Sequence, residues 1–576
     1  MKGMPTLWIS ALLCIASSSA FAQIIDPADA IFSNGRIYTM AETPALASAV
    51  AIKEGKIVYV GDSAGALALA GAHTRVVDLA GRMMLPGFHD VHAHILAGGM
   101  SLSGCSLGDI REQEGALQRL RVCATDYAYE EGEWVIGAHW ALAAFEDGNP
   151  RKEWLDEVFG DRPAYFVDTF SHSAWVSSRA LAMAGISAET PDPPQGVIER
   201  DPLSGEPTGT LRDAAMALVE ALIPPPSAED FAAGIRRGLQ EAHRFGVTAY
   251  IEPGLNPEQT RVYAALDERG ELTARVVGSL SPLAWDAGKT DERLFEQINE
   301  QGNIAGPHFR TGSVKIYIDG VLETRTSHML APYDDGSNFP PFYAREILLP
   351  LYARLHAMGI QIHTHAIGDG AIRLALDAYE HARDEAGPLD DRHHIVHLQL
   401  IDQADIPRFG ELGVAASFQG VWLYPDEYIE VAAALVGEAR VQQFYPAASV
   451  EDSGGLLVGG SDWDVSTLNP LHAIETLLRR QDPESAAGPT LGEGQEISLE
   501  SALRSYTRNA AHLMKLEALS GSIEVGKQAD LIVLDRDLFA IPLTAISDAR
   551  VLLTLVDGKA VFSDAEFAGG LSAEQE

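Results

Sequence analysis

The 576-residue sequence is poor in cysteine, in basic residues and in long apolar runs. It has 42 lysine and arginine residues against 81 aspartate and glutamate residues, and the formal net charge is −39 at pH 7. This charge balance argues against nucleic acid as a partner and against a polybasic membrane-binding patch. Because acidic surfaces are usually only well solvated, the net charge does not by itself indicate a cationic substrate.

The longest apolar run near the N-terminus covers residues 7–15 and is shorter than the ~20 residues that a membrane span requires. Lys2 precedes this run, and Ala-Phe-Ala at residues 20–22 follows it. The pattern is typical of a secretory signal peptide over residues 1–22 that is cleaved before Gln23. We therefore expect a periplasmic or secreted protein with no membrane span in its mature chain. An N-terminal membrane anchor is the weaker alternative.

Only three cysteines are present, and Cys14 lies within the predicted signal peptide. Cys105 and Cys123 remain in a chain that is destined for an oxidising compartment, where a disulfide between them is stable. Closing a loop of this size contributes ~3 kcal/mol in the chain-entropy model. Two separate buried thiols are the alternative that the sequence leaves open.

The stretch Met84-Leu85-Pro86-Gly87-Phe88-His89-Asp90-Val91-His92-Ala93-His94 joins an apolar lead-in to a His-x-His pair. If the lead-in is a β-strand, His92 and His94 point to the same face. Two neighbouring imidazoles at the C-terminal end of a strand supply half of a divalent-metal site. The remaining ligands must then come from other strand ends.

Strand-like and helix-like segments alternate through the middle of the chain. Besides the lead-in to His92, seven apolar strand candidates occupy residues 246–251, 274–280, 313–318, 360–365, 394–398, 413–418 and 456–461. Helical patterns cover residues 231–244, 347–358 and 371–385. This alternation predicts an α/β fold, a (β/α)₈ TIM-type barrel over residues 83–515 with a large insertion at about 100–235.

Both ends of the chain show short strand patterns. Hairpin turns are predicted at Glu54-Gly55 and at Asp557-Gly558. Short strands that flank a long α/β middle predict one small composite β domain, formed by residues 23–82 and 516–576.

Several polar residues fall at or near the ends of the predicted barrel strands, where the active sites of such barrels lie. Taken singly, each has an ordinary explanation as a satisfied histidine, an edge lysine or a helix cap. If all of these ordinary explanations held, five strands would each carry a polar residue by coincidence. The residues together therefore predict a metal centre built from His92, His94, Lys315, His365, His397 and Asp462.

The motif Pro86-Gly87-Phe88-x-Asp90-x-His92-x-His94 is similar to the opening signature of the amidohydrolase superfamily. The chain most resembles the YtcJ-like (amidohydrolase-3) branch, through further motifs in the same order: His172-Ser173-Ala174-Trp175-Val176, Lys315 with Asp319-Gly320, His365-Ala366-Ile367-Gly368-Asp369 and Ser461-Asp462-Trp463. The resemblance implies a barrel with a small composite β domain. The sequence departs from the pattern of this branch at Ser177, Gly370 and Val396, where Asn, Arg and Glu are usual.

The resemblance also implies roles for the polar residues. His92, His94, His365 and His397 take ligand positions, and Lys315 takes the bridging position that is a carbamate in binuclear members. A free ammonium has no lone pair, so Lys315 must be carbamylated or deprotonated in order to bind a metal. We expect the site to hold one or two divalent ions, and Zn²⁺ is the metal that we favour. His363 shares a strand face with His365 and is either an additional ligand or a residue that supports a ligand, and the supporting role is favoured.

These roles predict hydrolysis of a non-peptide C–N bond in a small-molecule amide, an N-acyl or N-formyl amine or amino acid. Asp462, also a ligand, acts as general base and acid, and His172 from the insertion stabilises the oxyanion. Deamination, cyclic-amide hydrolysis, a lyase or isomerase reaction and an inactive secreted binding or regulatory protein are the alternatives. A homo-oligomer is compatible with the sequence. Five aromatic residues either line an apolar pocket or pack in the core: Trp140, Phe145, Trp175, Trp422 and Trp463.

Overall fold

A computed structural model describes residues 26–43, 46–102, 104–108, 110–126, 133–281, 290–388 and 390–568. The signal peptide predicted over residues 1–22, with Cys14, lies outside these described residues, and the predicted export of the protein stays a prediction. Within the described ranges, none of the helices combines the length and the apolar character that a membrane span needs.

The centre of the molecule is an eight-stranded parallel sheet whose strands pair in chain order from the first to the eighth. The N–H of Val91 donates to the carbonyl of Gly459 at 3.0 Å, which brings the eighth strand beside the first. The prediction of a (β/α)₈ barrel is therefore confirmed. The strands are Phe88–Asp90, Val247–Leu255, Arg275–Leu280, Phe309–Tyr317, Gln361–Ala366, His394–His397, Ala415–Gln419 and Leu457–Gly460.

Helices that begin at well-formed caps cover the outside of the barrel. Ser227 and Asp230 form a capping box at the start of Ala228–Arg244, and Asn256 caps Pro257–Glu268. Their apolar faces pack on the strands in one large hydrophobic core. The remaining helices of this part are Ile95–Ser101, Thr290–Gln301, Arg345–Ala357, Asp369–Ala386, Ile406–Leu412, Glu427–Val436, Glu438–Val441, Ala447–Asp452, Pro470–Arg479, Leu499–Ser505 and Arg508–Leu513.

The lead-in to the histidine pair is divided between two sheets. Met83–Pro86 pairs with Leu531–Leu534 in the small β domain, and the first barrel strand begins only at Phe88. Gly87 lies at the junction, where a Cβ atom would approach the side chain of Thr248 to 2.2 Å. The first barrel strand therefore begins five residues after residue 83, where the sequence predicted the start of the barrel. The residues in between belong to the small β domain, and the chain passes from that sheet directly into the barrel.

Strands from both ends of the chain share the small β domain, as predicted. It consists of a four-stranded sheet that contains Ala30–Ser33 and a six-stranded sheet that contains Met83–Pro86. The two sheets enclose a separate apolar core. Besides these two strands, its strands are Arg36–Tyr38, Leu46–Ala47, Ala49–Lys53, Lys56–Gly61, Arg75–Asp78, Leu531–Leu534, Val551–Val556 and Lys559–Ser563, and its helices are Ser63–Leu67 and Ala565–Ala568.

The insertion after the first barrel strand forms a six-stranded sheet of its own. Cys105 and Cys123 are joined by a disulfide with a Cα–Cα distance of 5.7 Å, which decides between the two alternatives for these residues. The strands are Cys105–Ser106, Val135–Trp140, Ala164–Asp168, Ser173–Val176, Gly196–Arg200 and Pro207–Asp213. The helices are Gln113–Asp126, Lys152–Phe159, Ser178–Ala184 and Ala217–Glu220.

Candidate active site

Backbone hydrogen bonds hold the loops after the first and the eighth barrel strands together. The N–H of Asp462 donates to the carbonyl of His92 at 2.7 Å, and the N–H of His94 donates to the carbonyl of Trp463 at 2.6 Å. His92 and His94 thus follow the first strand and do not lie within it, which corrects the expectation of a shared strand face. Their side chains meet Asp462 because the two loops are paired.

The side chain of Asp90, at the end of the first strand, stabilises the two paired loops. Its buried carboxylate accepts the N–H of His92 at 3.0 Å and the N–H of Ser461 at 3.0 Å. Burial raises the pKa of Asp90 to about 7, although both hydrogen bonds oppose the shift. One carboxylate therefore fixes the backbone of His92, a predicted ligand, and of Ser461, which precedes the predicted ligand Asp462.

Three side chains form a tight group of donor atoms. Nε2 of His92 lies 3.0 Å from Oδ1 of Asp462, and Nε2 of His94 lies 3.3 Å from the same oxygen. The ligand atoms of the three residues all lie within 4.8 Å of one another. Imidazole nitrogen and carboxylate oxygen are ligands that suit Zn²⁺, so the donor set fits a divalent metal ion.

The ionisation of His92 and Asp462 also suits a metal ion. Burial lowers the pKa of His92 to about 3, so its imidazole is neutral and keeps a lone pair for a metal. Burial opposes the ionisation of Asp462, but the neighbouring His92 and His94 hold its pKa well below the usual range. Burial lowers the pKa of His94, but Asp462 outweighs this effect and raises it above the ordinary value, so His94 must give up a proton in order to bind a metal. Neutral imidazole and ionised carboxylate are the forms in which these side chains bind metals.

His363 lies behind His92 and orients it. Its Nε2 is 2.7 Å from Nδ1 of His92, so the opposite nitrogen of His92 is directed toward Asp462. His363 is fully buried and is not part of the cavity wall. This arrangement agrees with the supporting role expected for it, since metal-binding histidines are commonly held through their second nitrogen.

Lys315, His365 and His397 surround the tight group without belonging to it. Nζ of Lys315 lies 3.5 Å from Nε2 of His92, and burial lowers the pKa of Lys315 to about 7. Nδ1 of His397 lies 3.0 Å from Oε1 of Gln419 and 3.8 Å from Oδ2 of Asp462. Nε2 of His365 lies 3.2 Å from the carbonyl of Gly320.

All seven residues predicted for the site line one cavity of about 190 Å³. The structure thus brings together the seven residues predicted to bind metal or act in catalysis, while their roles as ligands or catalytic groups stay predictions. The rest of the wall consists of Phe170, Ser171, Tyr317, Val321, Ile367, Trp422 and Val465.

The insertion contributes His172 to this cavity. Nδ1 of His172 lies 2.7 Å from Oδ1 of Asp213, and its backbone N–H donates to Asp168 at 2.9 Å. Burial lowers the pKa of His172, but Asp213 outweighs this effect and raises it above the ordinary value. Sequence reasoning missed Asp213, because the antiparallel pairing that places Ser173 opposite Arg212 is seen only in the structure.

Of the five aromatic residues considered for a pocket, only Trp422 lines the cavity, where its ring stacks on His397 at 5.5 Å. The other four pack in hydrophobic cores of the insertion or the barrel: Trp140, Phe145, Trp175 and Trp463. For these four residues the core explanation is the correct one.

A second group with metal-ligand chemistry lies at the opposite end of the sixth strand and contains His356, Asp391 and His393. The N–H of Ile362 donates to Nδ1 of His393 at 3.0 Å, so a neutral His393 carries its proton on Nε2. That proton is directed to Nδ1 of His356 at 3.0 Å. The group is therefore explained as a hydrogen-bonded link between a helix and a strand.

Comparison with known proteins places these features in a family. The sequence model of the amidohydrolase family matches residues 75–562. The protein LONG AFTER FAR-RED 3 of Arabidopsis thaliana is 31% identical over 93% of this chain and 92% of its own length. The N-substituted formamide deformylase of Arthrobacter pascens is 28% identical over 92% of this chain and 97% of its own length.

The same fold is present among solved structures. The crystal structure of an uncharacterised metal-dependent hydrolase from Pyrococcus horikoshii superposes with a TM-score of 0.70. It covers 89% of this chain and 99% of its own chain at 24% sequence identity. The fold of this protein therefore extends over nearly the whole of a known hydrolase structure.

Proposed function

Because this chain belongs to the amidohydrolase family of metal-dependent hydrolases, which act on C–N bonds, we propose that it cleaves the amide bond of an N-acyl or N-formyl amine or amino acid. The observation that carries the proposal is the convergence of His92, His94 and Asp462 in the wall of a small cavity that His172 also lines. The similarity to a formamide deformylase over nearly the whole chain supports an N-formyl or N-acyl substrate.

The donor set favours Zn²⁺ at His92, His94 and Asp462. A divalent ion bound there supplies a Lewis acid that lowers the pKa of water toward ~7. We propose that Lys315 is carbamylated and, with His365 and His397, completes a site for a second ion. The buried position of its amine, 3.5 Å from His92, supports this assignment, because an uncharged amine is the form that reacts with CO₂.

The side chains of the site divide the work of hydrolysis. Asp462 accepts a proton from the attacking water, whose oxygen bonds to the acyl carbon, and then delivers a proton to the nitrogen as the C–N bond breaks. His172, held by Asp213, donates a hydrogen bond to the carbonyl oxygen as negative charge develops there. The products are a carboxylic acid, which is formate for a formamide, and an amine.

The export of the protein is a further part of the proposal. The sequence predicts a cleavable signal peptide, and the Cys105–Cys123 disulfide supports a periplasmic or secreted location, since such bonds persist in oxidising compartments.

The proposed reaction is tested with metal-loaded protein and a panel of N-formyl amines, N-acyl amines and N-acyl amino acids. We expect acid and amine to be released in equal amounts. Release of ammonia from heterocycles, without acid from the amides, would assign the site to deamination. No turnover of any compound would favour a binding or regulatory protein.

Asp462→Asn tests the assignment of the general base. We expect kcat to fall by at least ~10²-fold, because the amide cannot accept the proton. Metal content, measured by mass spectrometry on the same preparation, checks that any loss of activity is not caused by loss of the ion. Asp402→Asn, a partly exposed carboxylate away from the cavity, serves as the control. Full activity of Asp462→Asn would remove this residue from the role of base.

A further inference from the structure

A second and larger cavity of about 800 Å³ adjoins the active-site cavity, and we call it the vestibule. The two cavities share a boundary of five residues: Phe170, Val321, Ile367, Trp422 and Val465. A substrate that has its scissile bond at the metal centre and is too long for the inner cavity of about 190 Å³ can therefore extend its other end into the vestibule. The chemistry of the vestibule wall then bears on which substrates the enzyme accepts.

The vestibule wall carries an excess of negative charge. Its carboxylates are Glu323, Asp426, Glu427, Asp482 and Glu484. Among the described residues of this wall, Arg111 is the one arginine or lysine, and it is paired with Glu427. His472 also lines the wall, but burial lowers its pKa and keeps it neutral. The negative charge is therefore not balanced by the wall itself.

Glu323 is the carboxylate closest in sequence to the boundary with the metal centre, two residues after Val321. Its Oε1 accepts a hydrogen bond from Nε2 of Gln399 at 2.8 Å, and this partner is a neutral amide. Burial raises the pKa of Glu323 to about 7, although the charge of His172 opposes the shift. Among the described residues, no arginine or lysine forms an ion pair with Glu323, so the carboxylate has no directly paired cation. A cationic group brought by a ligand would supply it.

Aromatic rings complete the wall. Trp422, Tyr424, Tyr428 and Tyr445 line the vestibule together with Phe170. The rings of Phe170 and Tyr428 meet edge to face with centroids 4.6 Å apart. Aromatic faces beside carboxylates are the surroundings that an organic ammonium ion prefers, because the ring quadrupole and the negative charge both attract it.

We propose that the vestibule binds a protonated amine of the substrate, so that the preferred substrates are N-formyl or N-acyl amides that carry an ammonium group at the end remote from the scissile bond. Glu323 is the specificity-determining residue, and the aromatic rings hold the alkyl part and the cation. The inference rests on the proposed amide hydrolysis and narrows its substrate class. It disfavours N-acyl amino acids whose free end is a carboxylate.

Three formamides of equal chain length test the proposal: N-formylcadaverine, N-hexylformamide and N-formylaminocaproate, which end in ammonium, methyl and carboxylate groups. With metal-loaded protein we expect kcat/KM to decrease in that order, with a ratio of ammonium to methyl of roughly tenfold or more. A methyl or carboxylate compound that is hydrolysed as well as N-formylcadaverine would overturn the inference and leave the proposed hydrolysis intact.

Glu323→Gln identifies the residue responsible. We expect the ratio of kcat/KM for the ammonium compound over the methyl compound to fall toward one. Glu346→Gln is the matched control, because it removes the same charge from an exposed helical position that is not part of the vestibule wall. An unchanged ratio in Glu323→Gln, or an equal decrease in Glu346→Gln, would contradict the assignment.

Calorimetric titration gives a readout that does not require turnover. We expect metal-loaded protein to bind pentylamine in preference to pentanol, and Glu323→Gln to bind pentylamine more weakly. This result would support the vestibule inference even if none of the formamides were hydrolysed, in which case the proposed reaction alone would fail. Equal binding of the amine and the alcohol would overturn the inference.

Discussion

The substitution Asp213→Asn tests whether His172 acts in the reaction. Oδ1 of Asp213 lies 2.7 Å from Nδ1 of His172, and the carboxylate is fully buried at the inner edge of the insertion. It holds the ring through Nδ1, and the His172 side chain lines the cavity. An asparagine keeps the shape of the side chain and removes the negative charge that attracts the imidazole proton.

The size of the effect follows from the kind of contact that is lost. A hydrogen bond to a charged group contributes ~1.5–3 kcal/mol, and its loss leaves the partner poorly held. If this energy is expressed mainly in the transition state, kcat decreases roughly 10- to 150-fold, with a much smaller change in KM. The assay is steady-state hydrolysis of the best formamide, together with thermal unfolding of each variant.

Asp168→Asn is the matched control for this experiment. Asp168 is equally buried and accepts the backbone N–H groups of His172 and Ser173 at 2.9 and 2.7 Å through Oδ1, an atom that asparagine retains. We expect this variant to keep most of its kcat. A folded Asp213→Asn protein with unchanged kcat, or equal losses in both variants, would refute the role assigned to His172.

Two further predictions concern stability. His308 and Arg275 overcome the effect of burial and lower the pKa of Asp557 to about 2, so the stability that this carboxylate adds is present above pH ~4 and is lost as the pH falls toward ~2. Asp557→Asn should lower the free energy of unfolding by about 2 kcal/mol at neutral pH. In denaturant titrations, the difference in unfolding free energy between this variant and the wild type should vanish in acid. A difference that stays constant with pH would contradict this prediction. Replacing Cys105 and Cys123 by alanine opens a link between residues 18 positions apart and should cost the insertion ~3 kcal/mol, and an unchanged thermal unfolding profile would argue against that contribution.

The barrel could be predicted because its strands are short apolar runs separated by helical patterns. The candidates at residues 313–318 and 394–398 correspond to Phe309–Tyr317 and His394–His397 in the structure. The division at Gly87 could not be predicted, since the apolar run continues across two sheets with no turn signal between them. Hydrophobicity reports burial but does not report which sheet a strand joins.

In the candidate site, too, sequence patterns reveal single residues near strand ends but do not reveal contacts between distant segments. Ligand-type residues such as His92 and Asp462 lie next to strand ends and can be recognised there. Asp213 is 41 residues from His172, and only the pairing of two strands within the insertion brings them together. The vestibule is harder still to predict from the sequence, because Glu323 and the aromatic residues come from separate segments of the chain whose proximity depends on the closed barrel.

The most direct test of the account is the metal content of mature protein purified without chelator, measured by mass spectrometry together with formamide hydrolysis. We predict at least one equivalent of Zn²⁺ per chain, and two equivalents if Lys315 is carbamylated, with activity lost on chelation and restored by Zn²⁺ and bicarbonate. A chain that holds no metal after such treatment and hydrolyses no amide would contradict the assignment of His92, His94 and Asp462 to a catalytic metal centre.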